Sequence, residues 1–223
     1  MKKILILLTI FSLAISPTLA FGRIEGVPPS VKLPSKFTQE YIDYITEEYK
    51  VVTNNQLIMV ALDMLKGTDG DFSRKAILGY NLTGYPIKIE FKNLATVNKS
   101  YENFDAIGWK KRKKLYIYIN PKHQNAPPAA LAALLSHEAL HQDEYNSLSE
   151  ETYAWTMEAV VWIDLLAIYP DSNVETHPLV KRENTLKKLF EKGHNSPQYI
   201  KKSVYQNKGY QGLPITSPGF NEI

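Results

Sequence analysis

Near the middle of the chain stands Ser136-His137-Glu138-Ala139-Leu140-His141, two histidines four residues apart with a glutamate directly after the first. Residues at that spacing share one face of a helix. The run Ala129 to Leu135 that leads into it consists of strong helix formers. Pro127 and Pro128 stand where a helix start tolerates proline. The pattern predicts a motif helix from about Pro128 to Tyr145. On it, His137 and His141 offer two imidazoles to one zinc ion, with Glu138 beside them as general base.

Two histidines leave a catalytic zinc one protein ligand short. The chain has no cysteine, so disulfides are excluded and the third ligand must be histidine or carboxylate. The next histidine after His141 is His177, whereas the following helix carries Glu150, Glu151 and Glu158. Glu150 points about 100° round that helix from Glu151, where capping or solvent is its natural role. Glu151 and Glu158 share a face, and both remain candidates on spacing. If the two helices fold back symmetrically about Leu148, the residue level with His141 is Trp155.

His137-Glu138-Ala139-Leu140-His141 followed by Glu151-Thr152-Tyr153-Ala154 resembles the gluzincin class of zinc metallopeptidases, the thermolysin type of the zincin fold. In several families of that class the third ligand is a glutamate three residues before an alanine. The resemblance runs from about Phe104 to Trp162 and implies Glu151 as third ligand, Glu138 as catalytic base and a peptide or protein substrate. It also implies an edge strand just before the motif helix, a place that Lys114 to Ile119 would fill, binding substrate in extended form. The stretch between His141 and Glu151 is shorter than in thermolysin-like enzymes. An oxyanion donor is also required, for which Tyr199, Tyr205 and Tyr210 are candidates.

The rest of the chain fits one α+β domain over residues 37–208, mostly helical, with a small, largely antiparallel three-stranded sheet preceding the motif helix. Thr38 caps a helix whose Tyr41, Ile42, Ile45 and Tyr49 share a face. A second helix runs from Asn55 to Lys66, and Asp71 caps a short third. Ile87, Ile89 and Phe91 alternate with charged residues as a strand. Phe104 to Trp109 and Lys114 to Ile119 form a hairpin. At its turn Lys110-Lys111-Arg112-Lys113-Lys114 reads as a solvated loop or an anionic-surface contact. Ser147 or Ser149 caps the next helix, apolar nearly all round, which Pro170 ends. Residues 184–192 and 197–206 form short helices, and 209–223 reads as a loose tail. His123, His177 and His194 read as ordinary surface or loop histidines.

Lys2 and Lys3, the apolar run Ile4 to Ile15 and the small Ala20 have the layout of a secretory signal peptide, with residues 21–36 an extended lead-in. Without Lys2 and Lys3 the charge is 24 cationic against 23 anionic residues, which gives no argument for a nucleic-acid partner. No stable membrane insertion is expected after cleavage. The sequence therefore supports a secreted or periplasmic zinc metallopeptidase. The alternative is a catalytically silent zinc-binding or envelope interaction protein on the same fold.

Overall fold

A computed structural model describes residues 37–221. The expected signal peptide and lead-in lie outside the described residues. Three helices come first: α1 (Gln39–Tyr49), α2 (Gln56–Met64) and α3 (Asp71–Ile77). Thr38 and Asn55 cap the first two, each accepting a backbone N–H through its side-chain oxygen. Asp71 lies inside the first turn of α3 instead of capping it, where it pairs with Arg74 and Lys75. Strands β1 (Lys88–Phe91), β2 (Ala106–Lys111) and β3 (Lys114–Ile119) follow. The chain then turns into α4 (Pro128–Glu138), α5 (Leu148–Ile168), α6 (Pro178–Lys192) and α7 (Gln198–Gln206). No helix among the described residues is long and apolar enough to cross a membrane.

The sheet is mixed, in the order β1-β3-β2: β3 pairs in parallel with β1 and antiparallel with β2. This corrects the expectation of a largely antiparallel sheet with Lys114 to Ile119 at its edge. The strand composition explains the order. Leu115, Ile117 and Ile119 of β3 enter the main core while Tyr118 joins a second cluster on the opposite face, so β3 needs cover on both faces and sits centrally. β2 carries Gly108, Lys110 and Lys111, residues that suit an exposed edge.

The main core lies between the sheet and helices α1, α2, α4 and α5. Every residue of α4 is buried, and α5 lies along it. α4 ends at Glu138, well short of the expected Tyr145. Leu140 N–H and His141 N–H bond three residues back, to His137 O and Glu138 O, at 3.0 and 3.4 Å, which tightens the last turn. Beyond it Asp143 Oδ1 accepts from Tyr145 N–H and Asn146 Oδ1 from Ser147 N–H, side-chain bonds that compete with a continuing helix.

Two further expectations are corrected. α6 starts at Pro178, before residue 184, because His177 Nδ1 accepts Leu179 N–H as its cap. Residues 214–217 are not loose. Pro214 O and Ile215 O accept from Leu148 and Ser149 N–H at 2.9 Å each, which satisfies two first-turn donors of α5 that have no partner within the helix.

Candidate metal centre

The burial of α4 and α5 against each other sets the site. His137 lies in the last turn of α4, His141 follows in the tightened turn, and Glu151 lies in the first turn of α5. Ser147 fixes where α5 begins, its Oγ accepting Glu150 N–H at 3.0 Å. His137 Nε2 and His141 Nε2 are 3.3 Å apart. Glu151 Oε2 stands 3.7 Å from the first and Oε1 3.7 Å from the second. These three residues form a group that could hold a metal ion.

The outward nitrogens are equally constrained. His137 Nδ1 lies 3.0 Å from Glu158 Oε2, and His141 Nδ1 lies 2.9 Å from Glu150 Oε1. A carboxylate only accepts, so each Nδ1 donates and each Nε2 is left with a lone pair. Two lone pairs and the Glu151 oxygens then face one another in a buried space. Glu151 Oε2 has no hydrogen-bond partner there. Such an arrangement is unfavourable unless a cation, or a proton on one Nε2, lies between the donors. The residues present therefore fit a metal ion, and two imidazoles with one carboxylate suit a divalent transition metal.

A second ring of charge surrounds the ligands. Arg182 of α6 grips both oxygens of Glu158, at 2.5 and 2.8 Å. Its Nε lies 3.6 Å from Asp105, which also meets His123 Nε2 at 2.8 Å. His123 is wholly buried, not a surface histidine. Trp155 Nε1 donates to Tyr210 Oη at 3.0 Å, and burial and the nearby Glu151 charge raise the pKa of that hydroxyl. Asn146 Nδ2 donates to Glu151 Oε1 at 2.6 Å. Ser217 Oγ donates to Glu150 Oε2 at 2.9 Å.

These contacts set the protonation. Burial alone would raise the Glu151 carboxyl, but the two imidazoles, Asn146 and Tyr210 hold it below its ordinary value. Glu158 is likewise depressed: Arg182 and His137 outweigh burial. Burial pushes Glu138 up against the pull of both histidines. Burial would lower His141, yet the charges of Glu151, Glu150 and Glu138 raise it to about 9.

Of the residues expected at the site, His137, His141 and Glu151 come together, and Glu138 is buried within the electrostatic reach of all three. Glu158 lies behind His137, bonded to Nδ1, not on the side of the convergent Nε2 atoms. Glu150 is buried instead of facing solvent, because His141 and Ser217 both reach it. Among the three tyrosines Tyr210 lies near enough to Glu151 for that charge to add to burial in raising its pKa, while Tyr199 and Tyr205 face Lys192 and Lys201. Arg182, Asp105, Asn146 and Ser217 escaped the sequence reading, because none lies in the motif helix or shares the period of Glu151 on α5. Against protein-family models, curated proteins and solved structures, the chain has no match.

Proposed function

We propose that the chain is a zinc metallopeptidase of gluzincin type, hydrolysing peptide bonds of a protein or peptide substrate. The observation that carries this reading is the convergence of His137 Nε2, His141 Nε2 and Glu151, with each Nδ1 braced by its own carboxylate. Histidine ligands oriented by an acceptor behind the ring are the general design of protein metal sites. Zinc bound there would supply Lewis acidity and an acidified water.

The protein's own groups do the rest. Glu138 follows the first ligand directly and is only 5 % exposed. Its raised affinity for a proton suits it to accept one from the attacking water and return it to the leaving amine. Strand β2, not β3, offers the open edge for an extended substrate. Gly108 holds that edge against the site: a Cβ there would lie 2.7 Å from His141 Cβ.

The experiment is metal analysis of purified protein together with cleavage of an unstructured protein, with and without chelator. One zinc per chain and chelator-sensitive cleavage are expected. Glu138→Gln should keep the zinc and lose the cleavage. Stoichiometric zinc without any cleavage would identify a silent metal-binding protein; no stoichiometric metal would overturn the reading altogether.

A further inference from the structure

The hairpin between β2 and β3 carries an unusual charge arrangement. Lys111, Arg112, Lys113 and Lys114 are all exposed. None has an acidic partner among the described residues, whereas many other surface lysines do, such as Lys50 with Glu47, Lys75 with Asp71 and Lys187 with Glu191. Lys111 and Lys114 stand directly opposite each other in the ladder, a placement that destabilises a hairpin when the charges are alike. Arg112 adopts φ 59° to close the turn, in the left-handed region that is uncommon for arginine. The fold thus holds four cations together with no acidic partner among the described residues.

The position of this tip gives the charge a use. β2 is the sheet edge that touches the metal-ligand segment, through Gly108 and His141. Lys111 lies three residues further along that same strand, roughly 10 Å at the rise of an extended chain. Lys110, between them, is already tied to Glu144 at 2.6 Å. An extended peptide paired along β2 with its reactive bond at the metal centre would pass beside the tip.

We infer that the β2–β3 tip is a substrate subsite for acidic side chains, about three to five residues to one side of the bond cleaved. This deepens the proposed peptidase function and rests on it for the meaning of the cleaved bond. The recognition itself is charge complementarity at an exposed edge, screened by salt over a Debye length of about 8 Å at physiological ionic strength.

The test uses fluorescein-labelled twelve-residue peptides in which a four-residue block is either Glu or Gln. Binding is read by anisotropy on the Glu138→Gln protein, so that no peptide is cut. The Glu peptide should bind on the order of tenfold tighter at low salt, from several surface pairs each of small worth. K111Q/K113Q/K114Q, which leaves the turn residue Arg112, should erase that preference and leave Gln-peptide binding unchanged. On the wild-type protein the Glu block should lower KM and leave kcat unchanged. Equal binding of both peptides, or a preference that survives the triple change, overturns the subsite. So does binding of the tip to phosphatidylglycerol vesicles without any peptide preference. Cleavage indifferent to the block would sink the subsite and leave the peptidase standing. Tip-dependent binding of the Glu peptide with no cleavage of any substrate would sink the peptidase and leave the acidic docking surface.

Discussion

His137 Nδ1 donates to Glu158 Oε2 at 3.0 Å, and the same carboxylate receives both prongs of Arg182. The ligand ring is therefore aimed by a group that is itself clamped. Arg182→Ala frees Glu158 to rotate and leaves a buried carboxylate without its counter-charge. Metal affinity should fall about ten- to a hundredfold, measured by competition with a chelator. Glu151→Ala, which removes a ligand, should cost more than Arg182→Ala. Equal losses would place Glu151 outside the coordination sphere.

Metal binding should depend on pH through His141. Without metal, His141 is held protonated up to about pH 9 by the surrounding carboxylates. Metal and proton compete for Nε2, so raising the pH removes the competitor. Affinity should climb up to about tenfold per pH unit between pH 7 and 9 and flatten above, with about one proton released per metal bound. Calorimetry in buffers of different ionisation enthalpy counts that proton.

Glu183 governs a separate pH effect. Its side chain is wholly buried and neither oxygen has a hydrogen-bond partner. Burial, reinforced by the charge of Glu158, raises its pKa well above 4.5. The folded protein keeps a proton that the unfolded chain releases above pH 4.5. Stability from this group is present below that value and is lost as pH rises toward the folded pKa, by about 1.4 kcal/mol per unit. Glu183→Gln removes the need for the proton. Urea unfolding should show the variant gaining on wild type from pH 5 to pH 8; parallel curves would contradict it.

Gly108 answers to space alone. A methyl group there would meet His141 Cβ at 2.7 Å and Glu138 O at 3.2 Å, against backbone and a stem atom that cannot swing away. Gly108→Ala should cost about 1–3 kcal/mol of stability. It should also weaken metal binding by displacing His141. Retained zinc content with unchanged stability would show that β2 can withdraw from the motif.

The sequence made the His137, His141 and Glu151 group legible because its members are local. His137 and His141 share a turn, and Glu151 follows on a helix whose Ser147 cap is readable from residue type. The apolar stretch of α5 and the alternation in β3 were equally plain. What escaped depends on distant partners. Arg182 meets Glu158 across 24 positions and Ser217 meets Glu150 across 67; no local period signals such pairs. Symmetric folding about Leu148 failed because α4 stops at Glu138, leaving a non-helical connection in place of a mirror-image helix. Strand order failed for a similar reason: a hairpin predicts that β2 joins β3, but not that β1 arrives from the other side.

The ring around the metal centre also orders events in time. The three proposed ligands fall within fifteen consecutive residues, but the groups braced behind them include Asp105, Arg182 and Ser217. A nascent chain that has reached Glu151 would already carry all the atoms of the candidate metal group without these distant groups to fix their geometry. Non-local contacts form late because loop closure precedes their reward. Ions captured early would therefore be held by a pliant, unselective set, and the choice among metals would be made only when residues 210–217 close over the start of α5.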